Sequence, residues 1–109
     1  MADTFKVLAQ SNPALLTLTN AYTVPAATRT IVNTITVCNQ NAVATTYRIS
    51  VAIAGAADST AQYIAYDTAI VGNGFTAIML GLTLAATDII RVYAATNTVS
   101  FNLFGMEIT

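Results

Sequence analysis

The residues that could perform chemistry are few in this chain. It has five carboxylates and no histidine among its 109 residues. Because the chain lacks histidine, the commonest general base and metal ligand, no Ser-His or Cys-His pair can form. Asp58 and Asp88 lie in predicted loops, where they most simply cap turns, and no Asp-x-Asp spacing indicates a calcium site. The sequence therefore predicts a protein that is not an enzyme and that binds no metal or other cofactor.

Cys38 is the only cysteine, which excludes an intrachain disulfide. It lies within an apolar run, where a small buried residue is expected rather than a reactive thiol, because a reactive thiol needs a cationic neighbour. Gly72-Asn73-Gly74 precedes a predicted strand and not a helix, so it does not form a phosphate-binding loop.

Tyr63, Tyr66 and Arg48 are the candidate interface residues. Residues three apart on a regular strand point to opposite faces, so one tyrosine is expected inside and the other outside. An exposed tyrosine suits a protein interface or stacking on a sugar; the alternative is a core aromatic with its hydroxyl at the rim. Arg48 interrupts an aggregation-prone apolar run, which favours a gatekeeper role over ligand binding.

Charge is unusually scarce. Only 8% of residues are charged and 55% are hydrophobic, with a net charge of −1, where about 25% charged residues is ordinary. The four basic residues are scattered, so the chain lacks the basic stripe that nucleic-acid binding requires. A surface with so little charge tends to associate. We therefore expect it to be covered by further copies or by another protein.

The uncharged segment Thr68–Thr87 is long enough to resemble a membrane span. It contains Asn73-Gly74, which is the strongest two-residue hairpin signal in the chain, so a hairpin is predicted here and no membrane segment. Residues after Met1 lack the charged and apolar blocks of a secretory signal. Synthesis in the cytoplasm is expected.

Residues 22–55 form the predicted centre of the domain. Apolar and polar residues alternate with a period of two in Thr28–Cys38 and in Thr46–Ala54. Because the short Asn39-Gln40-Asn41 connection joins these runs, they are predicted to pair as antiparallel neighbours.

The rest of the chain also reads as short strands separated by turns. Bulges or bends are predicted at Gly81 and Gly105. About eight strands with turns every eight to twelve residues indicate an all-β chain, namely a single antiparallel β-sandwich of jelly-roll or Ig-like type. It spans residues 1–109 as one domain, with residues 1–13 as a candidate N-terminal arm. The further predicted strands are Phe5–Gln10, Ala14–Thr19, Tyr22–Val24, Ala61–Val71, Phe75–Leu84, Ile89–Ala94 and the run from Val99 to the C-terminus.

A resemblance that spans nearly the whole chain, from about Leu16 onward, rests on seven stretches, which are Tyr22–Ala26, Ile35–Asn39, Tyr47–Val51, Tyr66-Asp67, Leu80–Leu84, Arg91–Ala94 and Ser100–Gly105. Together they resemble a family of small virion structural proteins of tailed bacteriophages and cyanophages. Ala27 stands where such chains often have glycine.

This resemblance implies a β-sandwich subunit, often trimeric. The leading hypothesis is a capsid decoration (cement) protein at the virion surface, a homotrimer that stabilises the shell of major capsid protein. The alternatives are a tail, baseplate, neck or fibre component, and a carbohydrate-binding module that uses Tyr63 or Tyr66.

Overall fold

The computed structural model describes residues 2–109, and these residues form nine β-strands. The strands are β1 (Asp3–Ser11), β2 (Thr19–Thr23), β3 (Arg29–Asn39), β4 (Thr45–Ala52), β5 (Tyr63–Ile70), β6 (Phe75–Ile78), β7 (Leu82–Leu84), β8 (Ile89–Ala94) and β9 (Val99–Ile108). Two single-turn 3-10 segments, Ile53–Gly55 and Thr60–Gln62, lie between β4 and β5. No helix in residues 2–109 has the length and apolar character needed to cross a membrane.

The strands form two antiparallel sheets. Sheet A has the order β1-β9-β3-β6, with β7 also paired to β3, and sheet B has the order β2-β8-β4-β5. Their inner faces carry one shared set of buried apolar side chains. The predicted all-β class and antiparallel β-sandwich are confirmed, with nine strands in the described residues instead of about eight. Within the candidate arm, residues 1–13, residues 3–11 form edge strand β1.

The core follows from the period of two along the central strands. Val99, Phe101 and Leu103 of β9 are fully buried, and Ile49 of β4 is buried opposite them in sheet B. Tyr47 contacts the Phe101 ring edge-on across the sandwich, with ring centroids 6.1 Å apart. Because side chains alternate between the two faces of a strand, every second residue of these strands is apolar and packs against the other sheet.

The predicted pairing of β3 with β4 is wrong. β3 pairs with β9, β6 and β7 in sheet A, whereas β4 pairs with β5 and β8 in sheet B. The Asn39-Gln40-Asn41 connection crosses from one sheet to the other. Alternation shows that a strand buries one face, but it does not show whether the next strand lies beside it or across the core.

The Asn39 side chain stabilises the point at which the chain crosses from sheet A to sheet B. Its side chain is 1% exposed and its amide nitrogen donates to the Val43 and Val71 carbonyls at 2.9 and 3.2 Å. Its amide oxygen accepts from the Asn41 N–H and the Thr98 hydroxyl, both at 3.1 Å. One buried amide therefore joins three connections at this end of the sandwich.

The predicted hairpin at Asn73-Gly74 is also wrong, although the turn itself exists. The Gly74 N–H donates to the Val71 carbonyl at 3.2 Å, and Asn73 has a φ of 52°. The strands on either side lie in different sheets, since β5 pairs with β4 and β6 pairs with β3. The turn is therefore a corner between the two sheets. It is tied to the Asn39-Gln40-Asn41 connection, since the Asn73 N–H donates to the Asn41 carbonyl at 2.7 Å.

Other local predictions had mixed outcomes. The run Phe75–Leu84 is interrupted at Gly81, which has a φ of 63°, and both halves pair with β3. The bulge expected at Gly105 lies instead in the two strands beside it, between Val32 and Thr34 of β3 and between Val7 and Ala9 of β1. A Cβ on Gly105 would collide with the Ile31 carbonyl oxygen, so the glycine serves close strand packing.

Between Ser11 and Thr19 the chain turns, so the predicted strand Ala14–Thr19 is wrong. Leu16 there has a φ of 55°. Ala27, in the turn before β3, likewise has a φ of 55°, which is the left-handed region that favours glycine.

Asp88 caps turns as expected. Its two carboxylate oxygens accept from the Ala54 and Ala85 N–H groups at 2.9 Å each. At one corner of the molecule, Ala2 and Thr109 exchange two backbone hydrogen bonds of 2.9 Å each. The two ends of the described chain therefore lie side by side.

Candidate interaction surfaces

Tyr63 and Tyr66 lie on the same side of the molecule, so the expectation of opposite faces is wrong. Their ring centroids are 4.9 Å apart and the rings are perpendicular. The register of β5 against β4 shifts twice, around Ile64 and again around Asp67, and Asp67 has a φ of 48°. These irregularities break the strict alternation and bring both rings to the outer face of sheet B.

Arg48 joins the two tyrosines to a third. It projects from β4, directly opposite Tyr93 of β8. Its guanidinium carbon lies 4.1 Å from the centroid of the Tyr66 ring and 4.3 Å from that of the Tyr93 ring. Cation–π contacts of this kind hold the side chain of the arginine flat against both rings.

Asp67 completes the cluster through a two-point ion pair with Arg48. Arg48 Nε donates to Asp67 Oδ1 at 2.6 Å and Arg48 Nη2 donates to Asp67 Oδ2 at 3.2 Å. These hydrogen bonds lower the pKa of the Asp67 carboxyl and raise the pKa of the Arg48 guanidinium. The Arg48 and Asp67 side chains are 23% and 46% exposed, so solvent screens the ion pair and its chief effect is on orientation.

Tyr63 is fixed from the other side. Its hydroxyl donates to Asp58 Oδ2 at 3.1 Å, and burial followed by this hydrogen bond raises the pKa of Tyr63. Thr60, Tyr63 and Tyr66 line a shallow depression of about 300 Å³. We call this depression the tyrosine notch.

All three residues chosen from the sequence, Tyr63, Tyr66 and Arg48, thus meet in one cluster. Sequence reasoning missed the roles of Asp67 and Tyr93. Tyr93 could have been found from β8, where Ile90, Val92 and Ala94 are buried and the residues between them point outward. The contact of Asp67 with Arg48 depends on the bulge and has no comparable sequence signal.

Sheet A presents a second surface, which is apolar. Phe5 of β1 pairs in register with Met106, and Met106 pairs with Ile31. In the next row Val7 pairs with Phe104. Phe5 is 76% exposed, Val7 49% and Phe104 37%. These five side chains form a contiguous outward patch, which we call the sheet A patch.

Cys38 lies on the same outer face, near the other end of the sheet, and is half-buried instead of enclosed in the core. Within residues 2–109, no three His, Cys, Asp or Glu side chains are placed to hold a metal ion.

The edges of both sheets carry features that discourage pairing with another strand. β6 and β7 have only four and three residues, and β1, β2 and β5 each contain a register shift. Lys6 on β1 forms an ion pair with Glu107 at 2.9 Å. Short edges, bulges and charges of this kind oppose edge-to-edge association, which leaves the two sheet faces as the surfaces open to contact.

Neither a scan against protein-family models nor a search of the curated proteins found a match to this chain.

Proposed function

We propose that this protein is a non-enzymatic structural subunit of a phage virion, namely a capsid decoration (cement) protein that stabilises the shell of major capsid protein as a homo-oligomer. The observation that carries the proposal is the sheet A patch. Large apolar side chains that adjoin on one sheet face are unusual on a free monomer and are typical of protein–protein contacts.

The scarcity of charge supports the same function. Of 109 residues only nine are charged, from four Lys and Arg plus five Asp and Glu. Next to the sheet A patch, Ile108 of β9 pairs in register with Asp3 of β1 and with Arg29 of β3. Charged residues therefore lie at the margin of the patch. Apolar cores with polar or charged rims are the usual anatomy of an interface.

Surface area sets how many contacts would suffice. The chain exposes 5647 Å², and a standard interface covers about 800 Å² per partner, or roughly one seventh of that area. Two or three such interfaces, as in a trimer docked on a shell, would cover a large share of the apolar surface. The resemblance to small virion structural proteins supports a phage particle as the assembly in which these interfaces form.

The experiment measures native mass by light scattering across a dilution series, followed by heat and osmotic challenge of particles with and without the protein. We expect a stable oligomer, and particles that are less resistant without it. Phe5→Ser and Val7→Ser should weaken assembly or docking. Ile53→Ser is the matched control, since Ile53 is 74% exposed but lies in the segment after β4.

A monomeric protein together with particles that keep their full resistance without it would overturn the proposal. Equal effects of Phe5→Ser and Ile53→Ser would reject the sheet A patch as the contact surface. Gold labelling of intact particles distinguishes the capsid from the tail, baseplate, neck or fibre, and label confined to those parts would reject the cement role.

A further inference from the structure

We propose that the tyrosine notch binds a neutral saccharide, with the C–H face of a pyranose ring against Tyr66. The notch belongs to sheet B and is separate from the sheet A patch. This binding activity is therefore additional to the proposed assembly role and does not depend on it.

The shape of the notch suits a small ring. Tyr63 and Tyr66 meet at 90° and so form two walls of a corner, with Thr60 at its side. Tyr66 is 55% exposed, so much of its ring is open to a ligand. The volume of about 300 Å³ lies at the lower limit of ligand pockets, which measure about 300–1,000 Å³.

The walls are held in place before any ligand arrives. Tyr66 is packed against Arg48, which is itself stacked on Tyr93 and paired with Asp67. Tyr63 is held by its hydrogen bond to Asp58. Side chains that are already ordered lose little conformational entropy on binding, which favours even a small ligand.

Charge selects a neutral ligand. Two carboxylates, Asp58 and Asp67, contact the cluster, and its one cation, Arg48, is already paired. An anion such as a phosphate would be repelled by the unbalanced carboxylate. A second cation on the Tyr66 ring would be repelled by the positive charge of Arg48, whose guanidinium carbon lies 4.1 Å from the ring centroid, whereas a neutral ring would not.

Sugar hydroxyls match the two carboxylates of the surrounding cluster, since Asp58 is bonded to Tyr63 and Asp67 to the Arg48 that stacks on Tyr66. Carboxylate oxygens accept several hydrogen bonds each, so Asp58 and Asp67 retain acceptor capacity beyond the contacts they make with Tyr63 and Arg48. A pyranose offers hydroxyl donors around its edge and an apolar C–H face. A peptide side chain would use the apolar walls but would leave these acceptors to water.

The test uses the full chain and neutral oligosaccharides of glucose, galactose and mannose, screened on an array and then titrated by ligand-observed NMR. We expect at least one neutral saccharide to bind. Tyr66→Ala should weaken that binding at least tenfold, whereas Tyr66→Phe should change it less than threefold, because the ring remains. Phe75→Ala is the control, since Phe75 is an even more accessible aromatic, at 76% exposure on sheet A.

The proposal is overturned if no neutral saccharide binds, if only charged glycans bind, or if Tyr66→Ala binds as well as the wild type. It is also overturned if Tyr66→Ala impairs only contact with another protein. Particle incorporation of Tyr66→Ala and of Phe5→Ser, measured in parallel, distinguishes a failure of saccharide binding from a failure of the assembly role.

Discussion

The Tyr22 hydroxyl of sheet B donates a 2.6 Å hydrogen bond to the Glu107 carboxylate of sheet A. Glu107 also holds Lys6 of the edge strand β1 at 2.9 Å, and Tyr22 contacts the Thr30 hydroxyl at 2.8 Å. This network connects the two sheets and the edge strand with polar contacts at the margin of the core. We therefore expect the stability of the fold to depend on pH at both extremes.

At acidic pH the effect comes from Glu107. The hydrogen bond from Tyr22, followed by that from Lys6, lowers the pKa of Glu107 below its ordinary value of 4.5. A carboxyl with a lowered folded pKa adds stability above its unfolded pKa and loses it as pH falls. We expect Glu107→Gln to be less stable than the wild type at pH 7, with the gap narrowing below about pH 4.5. Urea titrations from pH 7 to pH 3 check this, and parallel curves would contradict it.

At alkaline pH the same network acts through Tyr22. Burial, then the hydrogen bond to Glu107, raises the pKa of Tyr22 from 10.0 to about 12. A raised folded pKa adds stability that is complete below the unfolded pKa and is lost as pH rises through the folded one. The wild type should therefore lose its advantage over Tyr22→Phe between pH 10 and about pH 12. Subtracting the two curves removes the contribution of the other tyrosines, and a constant difference would refute the prediction.

Asn39 should be the most sensitive polar residue in the fold. Asn39→Ala removes the four hydrogen bonds of a buried amide and leaves the Val43 and Val71 carbonyls without this donor, so we expect a loss of about 3 kcal/mol in the free energy of unfolding. Asn102→Ala, at an outward-facing position of β9, should stay within about 0.5 kcal/mol. Chemical denaturation measures both. A loss below about 1 kcal/mol for Asn39→Ala would show that water replaces the amide.

Ala27→Gly should stabilise the protein. A non-glycine residue in the left-handed region costs roughly 1–2 kcal/mol, and part of that gain is lost to the greater freedom of glycine in the unfolded chain. The net expectation is a gain of about 0.5–1 kcal/mol. Ala77→Gly, in β6, is the matched control and should destabilise by a similar amount. Thermal unfolding of both variants checks the opposite signs, and a loss for Ala27→Gly would rule out strain at this turn.

Ser50→Ala should be neutral or slightly stabilising. Ser50 is 0% exposed, and within residues 2–109 its hydroxyl oxygen has no hydrogen-bond partner. Removing an unsatisfied buried hydroxyl avoids its desolvation cost, so a gain of up to about 1 kcal/mol is expected. Ser50→Thr should instead destabilise, because an added methyl group overpacks the site. If Ser50→Ala costs more than about 1 kcal/mol, the hydroxyl has a partner such as an internal water.

The period of two was enough to predict the fold class and most of the strands. It could not predict which strands pair, because β3 and β4 alternate in the same way whether they lie side by side or face each other. The observed arrangement is stabilised by Asn39, whose hydrogen bonds reach Val43, Val71 and Thr98. A single asparagine in a connection gives no sequence signal for such a long-range role.

The candidate surface was predicted residue by residue but not as a cluster. Tyr63, Tyr66 and Arg48 were singled out for their chemistry, yet regular alternation separates the two tyrosines. The positive φ at Asp67 and the shifted register around Ile64 instead bring both tyrosine rings to the same face of the sheet. Aspartate enters the left-handed region more readily than most residues but far less often than glycine, so its residue type is only a weak signal for this conformation.

The reciprocal hydrogen bonds between Ala2 and Thr109 also bear on how this domain can be joined to other proteins. Polypeptides fused before Ala2 and after Thr109 would leave the fold from one point, so the domain could be inserted into a surface loop of a carrier protein without separating the ends of that loop. The same proximity would allow a short linker to join the two ends, with new termini opened at the exposed residues 14–17, in the connection between β1 and β2. Such a circular permutant would keep all nine strands and would leave both faces of the sandwich free of added chain.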